Sequence, residues 1–312
     1  MRDFARIIPK GRAGGNKYIG TSSGFSLIHH TFDYAKEIGM QHQHMQSINT
    51  ISPLYPDEDL INYEAEYPLP NAEDATLLID AFVNSAFPLA RIVHGPTFQA
   101  KIREWRSGAF VASSQFITLY RLALSIGAEL LGKSDLSLEM FKNAYQLLKK
   151  DYWSNCDLET VQALTLIALY LQNNGRGNLA YLTLGIAIRQ AYAIGLHRST
   201  KLNSFDSNRI VAECRKRTFW CLFFMDKHSS MLLGRPSSIQ DDDVDVELPM
   251  NIPDECITNQ GILKPSISHT MNAYGQLQFA DFSLAIEFGK ICGNIYKRLY
   301  SLIIYLVLQG EL

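Results

Sequence analysis

Cysteine is scarce in this chain, with five residues among 312. An odd number at scattered spacing is typical of reduced thiols in a cytosolic or nuclear protein and excludes a paired disulfide framework. No C-x-x-C pair occurs, so we expect no structural zinc and no metal site in this chain. Cys214, Cys221 and His228 do recur at seven-residue spacing, but that spacing puts them about 10.5 Å apart along one helix, and we interpret them as packing residues.

The sequence also lacks an excess of either charge and lacks a long apolar run. A net charge of −2 and an isoelectric point near 6.4 exclude the strongly basic surface that is typical of whole-domain DNA binders. The most apolar stretch, residues 299–308, is about half as long as a membrane span. The N-terminal residues contain no apolar core of a signal peptide. We therefore expect no membrane segment.

What the sequence does contain is abundant helical periodicity. Apolar residues make up 47% of the chain, which is enough for a sizeable core. Apolar side chains recur every three or four residues over residues 114–131, 138–153, from 157 onward, and 178–195. Short links between these segments favour antiparallel pairing. The fold class predicted is all-α, a large multi-helix domain of antiparallel helix pairs.

The first residues differ from the rest of the chain. Residues 1–17 carry five basic residues against one acid, together with three glycines, and this composition predicts a basic flexible tail or linker. We expect residues 18–312 to form the helical domain. Prolines between residues 53 and 70 rule out long helices there, and Asn71 is placed to cap the helix that follows.

The longest predicted helix covers about residues 206–233 and ends before Gly234 and Pro236. Its middle section, residues 219–225, is apolar on all sides, so Trp220 is predicted to be buried. The basic run of residues 215–217, which includes Arg217, is predicted to be solvated. Truncating a buried tryptophan costs about 3–5 kcal/mol, so a structural role is expected for Trp220.

An acidic strip, residues 241–247, follows this helix and ends before Pro249. Its alternating aspartates match the start of a calcium loop, but the positions that need glycine and glutamate hold Val246 and Ile252. Calcium binding is therefore disfavoured. The strip is expected to be extended and to dock through Val244, Val246 and Leu248.

Arg235 lies between the glycine and the proline that end the long helix. Its planar guanidinium suits a bidentate carboxylate, and Asp226, Asp242 or Asp243 are the candidate partners. A structural clamp is the favoured role, and contact with an anionic ligand is the alternative.

Two segments match short enzyme motifs. Residues 20–24 fit G-x-S-x-G, which requires a strand, a helix and a parallel sheet, but residues 17–19 look like a poor strand. Residues 175–180 fit G-x-G-x-x-A, but no acid follows about twenty residues later, where a dinucleotide site needs one. We favour a helix–helix turn capped by Asn178, and an enzyme is disfavoured.

A longer series of residues is more specific than these matches. Its members, in order, are Arg217, Trp220, Asp226, Gly234, Arg235, Pro236, Asp243 and Pro249. The series resembles the fungal-specific transcription factor domain, the regulatory middle region of fungal zinc-cluster transcription factors. Residues 94–98, in which His94 is interpreted as a packed structural histidine, are similar to the same family. The resemblance covers residues 18–308 and is strongest over residues 164–249.

This resemblance implies control of DNA-templated transcription in the nucleus, without catalysis. The family binds DNA through a six-cysteine zinc cluster, and its absence here implies that DNA contact and zinc belong to a missing N-terminal cluster. The chain is also expected to be truncated at its C-terminus. The implied partners are the transcription machinery or co-regulators, a small-molecule effector, or a second copy in a homodimer. The alternative is an effector-sensing or helical protein-interaction module without DNA binding of its own.

Overall fold

The computed structural model describes residues 6–8, 17–20, 67–85, 91–151, 155–199, 208–264 and 282–300, together with a few single residues between 23 and 34. The predicted loop before residue 67, most of the tail and the apolar stretch that ends at residue 308 lie outside the described residues. The helices are α1 (Ala72–Val83), α2 (Gly95–Arg106), α3 (Ser114–Leu130), α4 (Ser134–Asp151), α5 (Leu158–Asn173), α6 (Gly177–Ala193), α7 (Arg209–Leu233) and α8 (Phe282–Ile295).

A small antiparallel sheet precedes these helices. Strand β1 (Arg6–Ile8) pairs with strand β2 (Lys17–Ile19), with Arg6 opposite Ile19. Isoleucine and tyrosine in these strands are residues that pair well in a sheet. Residues 17–19 were interpreted as a poor strand, but they do form one, and residues 6–8 of the expected tail are its partner. The all-α class itself is confirmed, because helices form nearly all of the regular structure described.

Side-chain caps begin three of the helices at the predicted places. Asn71 accepts a hydrogen bond from the backbone N–H of Asp74 at 2.8 Å, as expected for the start of α1. Asp157 accepts one from Thr160 at 2.8 Å and so begins α5. Ser113 does the same for α3. Each cap satisfies a backbone donor that the first helical turn leaves without a partner.

Short turns join neighbouring helices into pairs that pack side by side. α3 is followed after three residues by α4, and α5 after three residues by α6. The turns contain Gly132 and Gly175, whose φ angles of 72° and 73° lie in the left-handed region that favours glycine. Connections this short return the chain antiparallel to itself, which agrees with the predicted helix pairs.

Helix α5 occupies the middle of the domain. It packs against α3, α4, α6 and α7, while α8 packs on α7. One continuous apolar core therefore runs from α1 to α8. No helix in the described part of the chain is long and apolar enough to cross a membrane.

Candidate functional site

A buried ion cluster ties the first half of α7 to a segment that follows it in the chain. Arg217 donates from Nε to Glu213 at 3.1 Å and from Nη1 to Asp254 at 2.7 Å. The Arg217 side chain is only 3% exposed, so the prediction that it is solvated was wrong. Three consecutive basic residues look like a surface run, but helical rotation turns Arg217 inward, where two carboxylates compensate its charge.

Asp254 joins this cluster to α2 as well. Its carboxylate accepts a hydrogen bond from the backbone N–H of Gly95 at 2.8 Å and lies 3.5 Å from Arg91. Burial alone would raise the pKa of Asp254, but Arg217 and Arg91 outweigh burial, and the pKa falls below its usual value. The carboxylate is therefore held in its ionised form at the junction of three chain segments.

His94 completes the junction and confirms its predicted structural role. Its Nδ1 accepts a hydrogen bond from the backbone N–H of Thr97, at the start of α2. Because Nδ1 accepts, the proton is on Nε2, which donates to the backbone carbonyl of Asp254 at 2.8 Å. Both ring nitrogens are thus used to hold α2 against the segment around Asp254.

Two consecutive charged residues in the second half of α7 hold the chain after the helix. Asp226 accepts hydrogen bonds from the backbone N–H groups of Ser238 and Ile239, at 3.1 and 2.8 Å. Lys227 donates to the carbonyl of Ile239 at 2.6 Å and lies 2.8 Å from a carboxylate oxygen of Asp241. Burial raises the pKa of Asp226, and the two backbone donors partly offset this rise. Sequence reasoning identified Asp226 but missed Lys227, whose side chain is 1% exposed.

Gly234 ends α7 and makes a close backbone contact. Its φ of 65° places it in the left-handed conformation of a helix C-cap. A Cβ atom here would lie 2.4 Å from the carbonyl carbon of Gly20, and the N–H of Gly20 donates to Leu233 at 2.9 Å. Glycine is therefore required at residue 234, both for its left-handed φ angle and for the close contact with Gly20. Two residues further on, Pro236 accepts a hydrogen bond from the hydroxyl of Tyr181 at 3.0 Å.

Arg235 contacts α6, a different partner from those predicted. Its Nη2 donates to the side-chain oxygen of Asn178 at 3.0 Å, and its guanidinium lies 4.9 Å from the centre of the Tyr181 ring. Asp226 is occupied by backbone donors, and Asp242 and Asp243 are exposed. The capping prediction for Asn178 was also wrong, because α6 begins after Arg176 without a side-chain cap.

The acidic segment after α7 docks partly as predicted. The indole of Trp220, which is 7% exposed, donates to the carbonyl of Glu247 at 3.0 Å. Val246 is buried, and its N–H donates to the carbonyl of His197 at 3.1 Å. Leu248 is 49% exposed, so its predicted docking role was wrong, and residues Asp241–Asp243 form a turn of 3₁₀-helix within the strip expected to be extended. Pro249 is half-buried at its end.

Cys214 and Cys221 are packing residues of α7, as predicted. Both thiols are buried, and burial raises the pKa of Cys214 to about 12 and also raises that of Cys221. His228 lies two turns further on and shares a hydrogen bond of 2.7 Å with Gln172. Thiols held in their neutral form are poor metal ligands. Among the described residues, no group of three potential ligands is placed to hold a metal ion.

A cleft of about 460 Å³ opens between α1 and α2, and sequence reasoning missed it. Its floor consists of Ala75, Ile79, Ile102 and the ring of Tyr120, all of which are buried. Charged and polar side chains surround this floor, and they are Thr76, Asp80, Gln99, Arg103, Arg106 and Ser107. The only sequence signal was the pair of arginines three residues apart, which a helix places on one face.

Comparison with known proteins now identifies the domain. Residues 79–304 match the family model described as the fungal specific transcription factor domain. The chain belongs to this family. It is 30% identical to an ABC-transporter-regulating transcription factor of Aspergillus oryzae, over 96% of this chain and 34% of that protein. It is also 30% identical to the activator of stress genes 1 of Saccharomyces cerevisiae, over 67% of this chain and 23% of that protein.

A third relative is an uncharacterised transcriptional regulatory protein of Schizosaccharomyces pombe, which is 27% identical over 92% of this chain and 37% of its own length. The chain thus spans about a third of the length of the curated relatives that it matches most fully. No solved structure matches it significantly.

A fungal specific transcription factor domain regulates transcription and is not an enzyme, which confirms both predictions. The structure explains the two motif matches. Gly20 follows a strand of a two-stranded antiparallel sheet and packs against Gly234, an arrangement unlike the parallel sheet of a hydrolase. Gly175 lies in the turn between α5 and α6, so a helix, not a strand, precedes it.

Proposed function

We propose that this chain is the regulatory part of a longer nuclear transcription factor, whose specific DNA contacts are made by a zinc cluster outside the chain. The match over residues 79–304 carries this proposal. The relatives' greater length leaves room for further domains. The chain's five scattered cysteines and its net charge of −2 support the assignment of zinc and DNA to another part of the protein.

In this proposal, the buried charged residues of α7 and their partners make the helix rigid. Arg217 and Asp254 join α7 to α2, while Asp226 and Lys227 hold the chain that follows it. Because α8 packs on α7, a rigid α7 also fixes the position of α8. Regulatory partners then bind exposed surfaces such as that of α8.

The exposed face of α8 is the surface that we assign to a protein partner. On this helix, the side chains of Ile286 and Cys292 are buried, whereas Leu284 is 72% exposed and Ile291 is 53% exposed. Half-exposed Phe288 lies between these two along the same face. An apolar row at spacings of three and four residues suits a helical segment of a co-regulator, which would bury its own apolar face here.

A reporter experiment tests the regulatory role. The chain is fused to an unrelated sequence-specific DNA-binding domain in yeast, and transcription from a reporter with the matching DNA site is compared with that domain alone. We expect the fusion to change transcription and Leu284→Glu with Ile291→Glu to remove most of the change. Lys290→Gln on the same helix, where Lys290 pairs with Glu287 at the surface, is the matched control.

An unchanged reporter, with the fusion abundant and in the nucleus, would contradict the regulatory role. A response equal in the wild type and the glutamate variant would contradict the assignment to α8. The alternative partner is a second copy of this chain, and sedimentation velocity distinguishes such a homodimer from binding to a different protein. If the purified wild type is a dimer and the glutamate variant a monomer, α8 forms an interface between two copies.

The assignment of DNA binding outside the chain has its own test. We expect purified chain to contain no stoichiometric zinc by elemental analysis and to show no sequence preference in a DNA-binding assay at physiological salt. Weak binding that fades as salt rises would reflect phosphate attraction alone. Tight, sequence-selective binding by the chain itself would contradict the proposal.

A further inference from the structure

We propose that the cleft between α1 and α2 binds a small amphipathic carboxylic acid, with its apolar body on the floor and its carboxylate between Arg103, Arg106 and Tyr120. This inference rests on the proposed regulatory function and gives its effector a chemical class and a site. Neither the family match nor the names of the relatives assign a ligand to these residues.

The floor of the cleft favours an apolar ligand body. Ala75 and Ile79 of α1 face Ile102 of α2 and the ring of Tyr120 from α3, and these residues are buried. Trp105 supports the ring from one side, with the two ring centres 5.2 Å apart at an angle of 74°. A volume of about 460 Å³ lies within the range of small-molecule sites.

The rim supplies donors for an anion. Arg103 is exposed, and within the described residues its guanidinium takes part in no hydrogen bond or ion pair. Arg106 donates to the Tyr120 hydroxyl at 3.2 Å and to the carbonyl of Pro70 at 3.3 Å, which uses two of its five N–H groups. Both guanidinium groups therefore retain donors for a carboxylate, which arginine binds with particular strength.

Tyr120 adds a neutral donor at the bottom of the cleft. Its oxygen accepts from Arg106, and among the described contacts its own O–H has no acceptor. Burial raises the pKa of Tyr120, so the hydroxyl keeps its proton at neutral pH. A ligand oxygen that accepts from the Tyr120 hydroxyl would satisfy this donor while the hydroxyl oxygen still accepts from Arg106.

The remaining charge limits the ligand to a single anionic group. Asp80 lines the cleft beside the arginines, and its carboxylate already accepts from Gln99 at 2.7 Å. Two positive groups and one negative group leave a small positive excess. A monocarboxylate matches this excess, whereas a phosphate ester or a dicarboxylate would bring its additional charge towards Asp80.

Calorimetry with three probes that share one apolar body tests the proposal on the purified chain. The probes are 1-naphthaleneacetate, 2-(1-naphthyl)ethanol and 2-(1-naphthyl)ethylamine, and decanoate serves as a second carboxylate. We expect the carboxylates to bind at least about tenfold more tightly than the alcohol, and the ammonium most weakly. Equal affinity for the three head groups, or no binding of either carboxylate at millimolar concentration, would overturn the proposal.

Variants locate the binding site. Arg103→Gln should weaken carboxylate binding about tenfold and leave the alcohol unchanged, and Arg209→Gln, at an exposed arginine on α7, is the matched control. Thr76→Trp, at an exposed cleft position, should block binding of the carboxylate and of the alcohol, while circular dichroism shows a folded chain. Carboxylate binding that survives both cleft variants would place it elsewhere and overturn the assignment.

These measurements need no transcription, so they separate this inference from the proposed function. Carboxylate binding in the cleft together with a silent reporter would contradict the regulatory role alone. A responsive reporter without carboxylate binding would contradict this inference alone.

Discussion

Helices α5 and α7 are both buried along most of their length, but the side chains that they bury differ in kind. The buried residues of α5 are mostly apolar, such as Val161, Leu164 and Leu166, and none of them is charged. The buried residues of α7 include Glu213, Arg217, Asp226 and Lys227, next to Phe219 and Trp220. One helix is thus stabilised chiefly by filled volume, and the other by filled volume together with paired charge.

This difference determines what each helix can tolerate. A core filled by apolar side chains accepts replacements of similar volume, usually at a cost below about 1.5 kcal/mol. A buried charge that loses its partner is left uncompensated, which costs about 3–5 kcal/mol. The charges of α7 also bind particular backbone groups, such as the N–H of Ile239, and so they set the path of the chain after the helix.

Removing the carboxylate that α7 shares with α2 should have the largest effect. Asp254→Ala leaves Arg217 with Glu213 alone, leaves Arg91 without its partner in the ion cluster, and removes the acceptor of the Gly95 N–H. We expect a loss of about 3–5 kcal/mol in the free energy of unfolding, measured by urea denaturation. Glu255→Ala, at the exposed neighbouring acid, is the control and should change stability by less than about 0.5 kcal/mol.

Shortening Trp220 tests the apolar part of α7. Trp220→Ala should cost about 3–5 kcal/mol, because it removes a buried ring and its hydrogen bond to Glu247. Trp220→Phe keeps most of the volume but loses the bond, so a smaller cost is expected. Limited proteolysis should show early cleavage of the alanine variant. Equal protection of the alanine variant and the wild type would contradict this structural role.

Acid should change the contributions of the two buried aspartates around α7 in opposite directions. The pKa of Asp254 is lowered, so its contribution is present above the unfolded value of about 3.9 and is lost as pH falls through the folded pKa. The stability difference between the wild type and Asp254→Asn should therefore shrink on acidification. The pKa of Asp226 is raised, so its contribution declines as pH rises from about 3.9 through the folded pKa. Urea denaturation of the wild type, Asp254→Asn and Asp226→Asn between pH 3 and pH 7 measures both differences, and a change of the same sign for both would contradict the opposite pKa shifts.

A conservative replacement in α5 should have the smallest effect. Leu166 is fully buried, and Leu166→Met keeps its volume and polarity, so we expect a cost below about 1.5 kcal/mol by urea denaturation. Arg217→Met is the matched replacement in α7 and should cost more, because it leaves Glu213 and Asp254 without the arginine. Equal costs at the two positions would remove the distinction between the helices.

Local pattern was sufficient to predict most of the helices, their pairing and the cap at Asn71, but it did not predict α2. Residues such as Asn71 and Asp157 act on the backbone three residues away, and the apolar period depends only on neighbours within a helix. The burial of Trp220 and the stop at Gly234 follow from the same short-range signals.

Partners distant in sequence could not be predicted in this way. Arg217 looked solvated because its carboxylate partner Asp254 lies 37 residues further along the chain. Arg235 was assigned to nearby aspartates, but tertiary packing brings Asn178 to it from 57 residues away. The cleft is formed by three helices, so no single segment carries its pattern. The resemblance singled out Arg217, Trp220 and Asp226 in α7 without revealing what they contact.

The coupling between Arg217 and Asp254 tests most directly whether paired charge stabilises α7. A double-mutant cycle with Arg217→Met, Asp254→Asn and the double variant measures it through the free energies of unfolding in urea. We predict that the double variant is more stable than the two single losses would give by addition, with a coupling energy of about 1–3 kcal/mol. Single losses that add to within about 0.5 kcal/mol would contradict the claim that this pair holds α7 in place.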